Sequence, residues 1–160
     1  MAAKKAAENA VKVNIGSPNS EPQWKFFLST AKYTCYGGAR GGGKSWAVVR
    51  KAALGAYTYP GIRILILRRE YGDMEGTLID PMLKILAPGT FNYNKSDHVV
   101  TFTNGSKIKF GNMPGYGAAV QGKYQGQEYE WLFIDEATQF LESEFRGLAG
   151  VVRGANKIPK

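Results

Sequence analysis

The residues with the clearest chemical purpose run from Gly38 to Ser45. Gly38-Ala39-Arg40-Gly41-Gly42-Gly43-Lys44-Ser45 satisfies G-x-x-x-x-G-K-[ST] in full. The glycines permit positive φ and bring backbone N–H groups close to phosphate oxygens. The start of a following helix completes an anion site. Lys44 is placed to reach β- and γ-phosphates, and the Ser45 hydroxyl to ligate Mg²⁺. The second chemical element is Asp135-Glu136, delivered by the apolar run Trp131-Leu132-Phe133-Ile134. Asp135 is expected to hold Mg²⁺ together with Ser45, and Glu136 to orient and activate an attacking water as a general base. A Glu directly after the metal-binding Asp favours ATP hydrolysis that drives movement over phosphate transfer to a substrate hydroxyl. The competing reading makes the two acids a solvated cap on the next helix.

Composition narrows the setting. The chain has 160 residues, one Cys, one His and a formal net charge of +8. A single Cys forms no internal disulfide and no Cys-based zinc site. Cys35 is expected to be a small buried residue. His98, without a second His or a Cys nearby, is not expected to be a ligand. No apolar run approaches the roughly 18 residues of a membrane span, and no secretory signal opens the chain, so a cytosolic protein without membrane association is expected. The basic excess suits a phosphate-bearing partner, but it is dispersed and equally fits a solvated surface.

Elements must place these residues. Residues 1–21 read as a tail and loop, and 22–160 as one domain. Gln23–Ala31 reads as a helix entered through Glu21 and Pro22, and Lys32–Tyr36 as a strand feeding the glycine loop. Trp46–Tyr57 reads as a helix ended by Pro60-Gly61. Residues 62–68 read as a strand buried on both faces, and 70–86 as an interrupted helix. Residues 99–110 read as a hairpin turning on Asn104-Gly105 in a two-residue type I′ turn. Residues 111–127 read as a mobile loop, whose Tyr116 and Tyr124 could stack on bases or pack onto the domain. Residues 128–137 contain a further strand, and 138–148 a helix. The pattern is that of an α/β P-loop NTPase: a largely parallel sheet flanked by helices, with the hairpin as an antiparallel addition or insertion.

The loop GGARGGGKS, the segment FIDEA and the segment ILILRREY resemble the ATPase domain of the large terminase subunit of tailed bacteriophages. Pro22-Gln23-Trp24-Lys25-Phe26-Phe27, Asn104-Gly105-Ser106 and Tyr124-Gln125-Gly126 resemble it too, so the likeness runs from about Pro22 to about Pro159. It implies that Gln23 contacts adenine and that Gly38, Ala39, Arg40, Gly41, Gly42, Gly43, Lys44 and Ser45 form the nucleotide loop. It implies Arg40 as a sensor or finger on the γ-phosphate, and makes Arg146 and Arg153 candidates for a finger acting on a neighbouring subunit. ATP and Mg²⁺ are the implied ligands. Double-stranded DNA, a small terminase subunit, a portal protein and further copies in a ring are the implied partners, and the host cytoplasm the implied setting.

The family continues with a coupling strand, which lies between the phosphate-loop strand and the acidic strand, and then a nuclease domain. Neither is found in these 160 residues, so a truncated gene product or a fragment is expected, with a gap in its sheet that stays open or is filled by a partner segment. Two rival functions follow: another nucleic-acid-dependent ATPase of helicase type, and a nucleotide-binding domain without turnover.

Overall fold

The computed structural model describes residues 13–38, 41–113, 115, 122–154 and 158. Its framework is a five-stranded sheet flanked by helices. The strands are β1 (Arg63–Arg68), β2 (Phe91–Asn94), β3 (Val99–Phe102), β4 (Lys107–Asn112) and β5 (Trp131–Ile134), in the spatial order β2-β3-β4-β1-β5. β1 pairs in parallel with β4 on one side and with β5 on the other. β2, β3 and β4 are antiparallel neighbours. The expected hairpin is therefore β3–β4, and it is no appendage, because β4 belongs to the parallel set. β2 was not expected.

β1 is the hub. Its Ile64 and Ile66 enter the core on the helix side, while Leu65 and Leu67 enter a second cluster with Met113, Tyr124, Tyr129, Leu148 and Val151. Both faces are covered, which is why this strand carries an unbroken apolar run. The helix α2 (Lys44–Thr58) packs through Ala47, Ala52, Ala53, Gly55 and Ala56. Its small residues let it approach closely: a Cβ on Gly55 would lie 2.3 Å from the Trp131 ring of β5. The helix α1 (Glu21–Leu28) is tied to α2 by Lys51, whose Nζ donates to the carbonyls of Phe26 and Ser29 at 2.5 and 3.3 Å. A π-helical turn, Glu75–Ile79, leads into α3 (Asp80–Ile85), and α4 (Glu142–Ala149) follows β5. No helix among the described residues is long and apolar enough to cross a membrane.

Several expectations need correcting. Lys32–Tyr36 is not a strand. A strand exists only with a partner, and β5 pairs only with β1 among the described residues. The segment is held by local contacts instead: Ser29 Oγ to Thr34 Oγ1 at 2.7 Å, and Tyr36 stacked on Phe26 with ring centroids 5.5 Å apart. Cys35, in that unpaired segment, is exposed rather than buried. The β3–β4 turn has three residues, because Phe102 N–H reaches the Ser106 carbonyl around Thr103, Asn104 and Gly105. Only Gly105 has positive φ, +85°, as in a type I turn closed by a glycine bulge. Asn104 is committed elsewhere, its amide donating to the Ala56 carbonyl of α2 at 2.8 Å. The interrupted helix begins only at the π-helical turn, and the segment after β5 forms one 3₁₀ turn, Ala137–Gln139, before α4.

Candidate nucleotide site

The glycine loop enters α2 through Gly43, whose φ of +70° is left-handed; Gly38 and Gly41 stand at +137° and +84°. Only residues without a Cβ take such a path cheaply. Lys44 and Ser45 begin α2. The Lys44 ammonium donates to the Gly38 carbonyl at 2.9 Å, spanning the loop it closes. The loop is braced twice from outside: Tyr36 Oη donates to the Gly42 carbonyl at 3.0 Å, and Gln23 Nε2 to the Gly43 carbonyl at 3.4 Å.

Gln23 is not a surface amide. It is 3% exposed, and its Oε1 accepts from the Asn19 N–H at 2.9 Å. A cleft of about 480 Å³ lies between α1 and the loop, lined by Asn19, Pro22, Gln23, Tyr36, Gly41, Gly42, Gly43 and Trp46, among others. That size suits a small-molecule ligand.

Across the site, β5 ends at Ile134 and its register continues one residue further, with Asp135 N–H bonded to the Leu67 carbonyl at 2.8 Å. This carries Asp135 to the mouth of the loop. Ser45 Oγ lies 3.3 Å from its Oδ1 and 3.2 Å from its Oδ2, although the two residues are ninety positions apart. The oxygens facing one another here are hard donors that suit Mg²⁺. A divalent cation bound with phosphates needs only one or two protein oxygens, so this sparse set fits.

Glu136 follows with φ +55° and ψ +46°, a left-handed conformation that a non-glycine residue seldom takes. Its Oε1 accepts from Arg68 Nη2 at 2.5 Å, and its Oε2 from Gln139 Nε2 at 2.7 Å. Arg68, at the end of β1, is otherwise held by Thr77 Oγ1 at 2.9 Å and the Asp73 carbonyl at 3.3 Å. Its neighbour Arg69 forms a buried pair with Glu144 of α4 at 2.5 Å and donates to the carbonyls of Met113, Gly115 and Gln139. The two arginines thus fasten the segment after β5 to the end of β1.

Gln23, Gly38, Gly41, Gly42, Gly43, Lys44, Ser45 and Asp135 therefore gather around one cleft and its mouth, with Glu136 adjoining. Ala39, Arg40 and Tyr116 lie outside the described residues. Arg146 is exposed and paired with Glu142 one helical turn away at 2.6 Å, and Arg153 is exposed. Tyr124 packs rather than offering a ring to a base: it is 2% exposed, and its hydroxyl donates to the Asn112 carbonyl at 3.0 Å. His98 faces Tyr71 and Tyr93 through Nδ1. Sequence reasoning missed Tyr36 and Arg68. Arg68 was noted only as part of the segment ILILRREY, at the end of a buried strand, with no role attached.

The profile of a family described as "Terminase large subunit, T4likevirus-type, N-terminal" matches residues 35–149. The chain belongs to that family. Solved structures of the large terminase from a thermophilic bacteriophage share its fold. One crystal form superposes with a TM-score of 0.64 at 16% identity, covering 87% of this chain and 37% of that one. A structure of the same phage terminase in complex with ATP-γ-S gives 0.63 at 16% identity, covering 87% and 36%. This terminase chain thus spans little more than a third of those large terminases. No curated protein matches it.

Proposed function

We propose that this terminase chain binds ATP with Mg²⁺ and hydrolyses it as the motor domain of a DNA-packaging machine. The observation that carries the reading is the Ser45–Asp135 contact at 3.2–3.3 Å, at the mouth of a glycine loop that opens α2. The loop N–H groups and Lys44 cradle the phosphates, with Lys44 leaving the Gly38 carbonyl for the β- and γ-oxygens. Ser45 and Asp135 hold the metal, which when bound neutralises charge on those oxygens. Gln23 still has one N–H and one acceptor position for adenine. Glu136 orients a water and takes its proton as the new P–O bond forms and the bond to the ADP oxygen breaks. Arg40, by its place in the loop, senses the γ-phosphate.

Coupled to further copies in a ring, with a small terminase subunit and a portal, the cycle moves double-stranded DNA into a capsid in the host cytoplasm. Family membership supports this setting. A second reading, nucleotide binding without turnover by this chain alone, is favoured by a β5 that, among the described residues, pairs only with β1. The deciding experiment is ATP hydrolysis with Mg²⁺, with and without double-stranded DNA, beside Lys44→Ala and Glu136→Gln. Turnover lost in both variants and stimulated by DNA supports the motor. Lys44-dependent binding without turnover supports the second reading, and nucleotide affinity and turnover unaltered in Lys44→Ala would overturn both.

A further inference from the structure

We propose that the sheet face turned away from α2 binds the phosphate backbone of double-stranded DNA through Lys107, Lys109 and Lys123; this rests on the motor reading above, in which DNA is the cargo. β4 alternates: Ile108 and Phe110 enter the core beneath α2, so Lys107 and Lys109 project from the opposite face. Strand pairing extends that face sideways. Asn92 of β2, Thr101 of β3, Lys107 of β4 and Arg63 of β1 are directly paired in one row, and the first three are exposed. Lys123 joins from the segment after β4. Its Nζ donates to the Asn112 carbonyl at 2.9 Å and to Asn112 Oδ1 at 2.7 Å. A groove of about 360 Å³ follows this face, lined by Arg63, Val99, Lys107, Lys109, Gln127 and Tyr129, among others. Basic residues dispersed in the sequence are thus gathered in space.

The three lysines lack counter-charges. None has a carboxylate within ion-pair distance among the described residues, whereas Lys25, Lys95 and Arg146 elsewhere on the surface each have one. Their holders are neutral: Asn112 for Lys123, and Gln127 Oε1 for Lys109 at 3.5 Å. Those contacts orient the ammoniums and leave their charge in place, and a donor preset in this way gives up less freedom on binding. Lys109 and Lys123 also feel each other: burial first, and the Lys109 charge second, push the Lys123 ammonium down. An anion bound there relieves that repulsion. The acids nearby are engaged, Glu128 and Glu130 by Arg63, and Asp97 by the Asn94 amide. The side chains also select the partner. Among the described residues, no exposed large apolar or aromatic side chain stands on this face. It therefore offers neither the anchors of a protein interface nor a platform for unpaired bases. Ammonium, amide and hydroxyl groups are what contacts a duplex backbone.

The test titrates the full chain with a blunt, mixed-sequence DNA duplex at several salt concentrations. Beside it stand Lys107→Gln, Lys109→Gln, Lys123→Gln, the triple variant, and a control with the same charge change, Lys25→Gln with Lys84→Gln and Lys95→Gln. Each single substitution is expected to weaken binding about five- to tenfold at about 0.1 M salt, and to make the slope of log affinity against log salt shallower by about 1. The triple variant should lose a slope of about 3. A second duplex of unrelated sequence should show the same losses, because the backbone carries no sequence. Affinity for ATP should stay unaltered, since the cluster lies across the sheet from α2. Lys107 is exposed, so Lys107→Gln alone carries the test if either of the other substitutions disturbs folding. An equal loss in the control variant overturns the inference. Tighter capture of polyglutamate than of duplex, lost in the triple variant, assigns the face to an acidic protein and also overturns it. If the parent chain binds no duplex at all, the DNA partner of the motor reading fails first and takes this inference with it. If the parent binds duplex and the triple variant binds it as tightly with the same slope, only the inference fails.

Discussion

Gln23 Nε2 donates to the Gly43 carbonyl, and a methyl group on Gly43 would come within 2.4 Å of that same nitrogen. The buried amide thus sets the spacing between α1 and the start of α2. Gly43→Ala carries two costs, the left-handed φ of +70° and the collision with Gln23. Gly41→Ala carries only the first, since nothing lies within 4 Å of its added Cβ. Gly41→Ala is expected to cost about 1 kcal/mol and Gly43→Ala about 2–3 kcal/mol in thermal unfolding. Adding Gln23→Ala to Gly43→Ala should recover part of the difference, a non-additivity that a double-mutant cycle measures. Strict additivity would show that the amide does not set the spacing.

Ser45→Ala removes an oxygen from the pair that faces the proposed cation position. Stability should change by about 1 kcal/mol, the worth of one ordinary hydrogen bond. The Mg²⁺ concentration needed for half-maximal ATP affinity should rise at least about tenfold, and Asp135→Asn should raise it in the same direction, since each loses a hard ligand. A titration of nucleotide binding against Mg²⁺ reads both. Identical curves for parent and variants would remove Ser45 and Asp135 from the metal site.

The Arg69–Glu144 pair is a stability element of a different kind. Arg69 is 4% exposed and Glu144 is fully buried. Glu144 Oε2 also accepts the Leu141 N–H at 2.9 Å, fixing the start of α4. Glu144→Gln leaves a buried guanidinium without its counter-charge and should cost about 3–5 kcal/mol. For a chain of this size that lowers Tm by on the order of 10 °C. Arg69→Met with Glu144→Leu should cost less than Glu144→Gln alone, because no charge is stranded.

Alkaline pH should unfold the protein early. Burial pushes the Tyr124 and Tyr129 phenols up from their ordinary value of about 10. Their neutral forms are favoured in the fold, so the stabilisation is complete below pH about 10 and is lost as pH rises towards the folded values. Lys51, whose ammonium is pushed down by burial, acts in the opposite direction up to about pH 10.5. Thermal unfolding followed from about pH 9 to about pH 11.5 should show a falling Tm, and Tyr124→Phe should flatten the fall. A Tm independent of pH there would contradict the assignment.

The glycine loop was legible because its signal is local: glycines, a lysine and a serine carry their own backbone geometry into any fold. β1 was legible for a similar reason, since burial on both faces leaves an unbroken apolar run. Lys32–Tyr36 misled because strand formation is a property of a pair, and β-forming side chains do not supply the partner. Arg68 was invisible because its meaning lies in Glu136, 68 positions further on. The hairpin turn was misjudged by one residue because Asn104 caps α2 instead of adopting the positive φ that a type I′ turn requires.

The hub position of β1 governs the order in which this chain can fold. Its partners on either side, Ile108 and Trp131 opposite Ile64, arrive late in the sequence. Until both have docked, Arg63-Ile64-Leu65-Ile66-Leu67-Arg68 is a bare apolar strand with two open edges. Parallel pairing across long loops is slow, because closure entropy is spent before contacts repay it. The antiparallel β2–β3–β4 meander can form first and offer β4 as a template. The flanking Arg63 and Arg68 then serve as charged gatekeepers, discouraging the strand from joining its counterpart in another molecule during that interval.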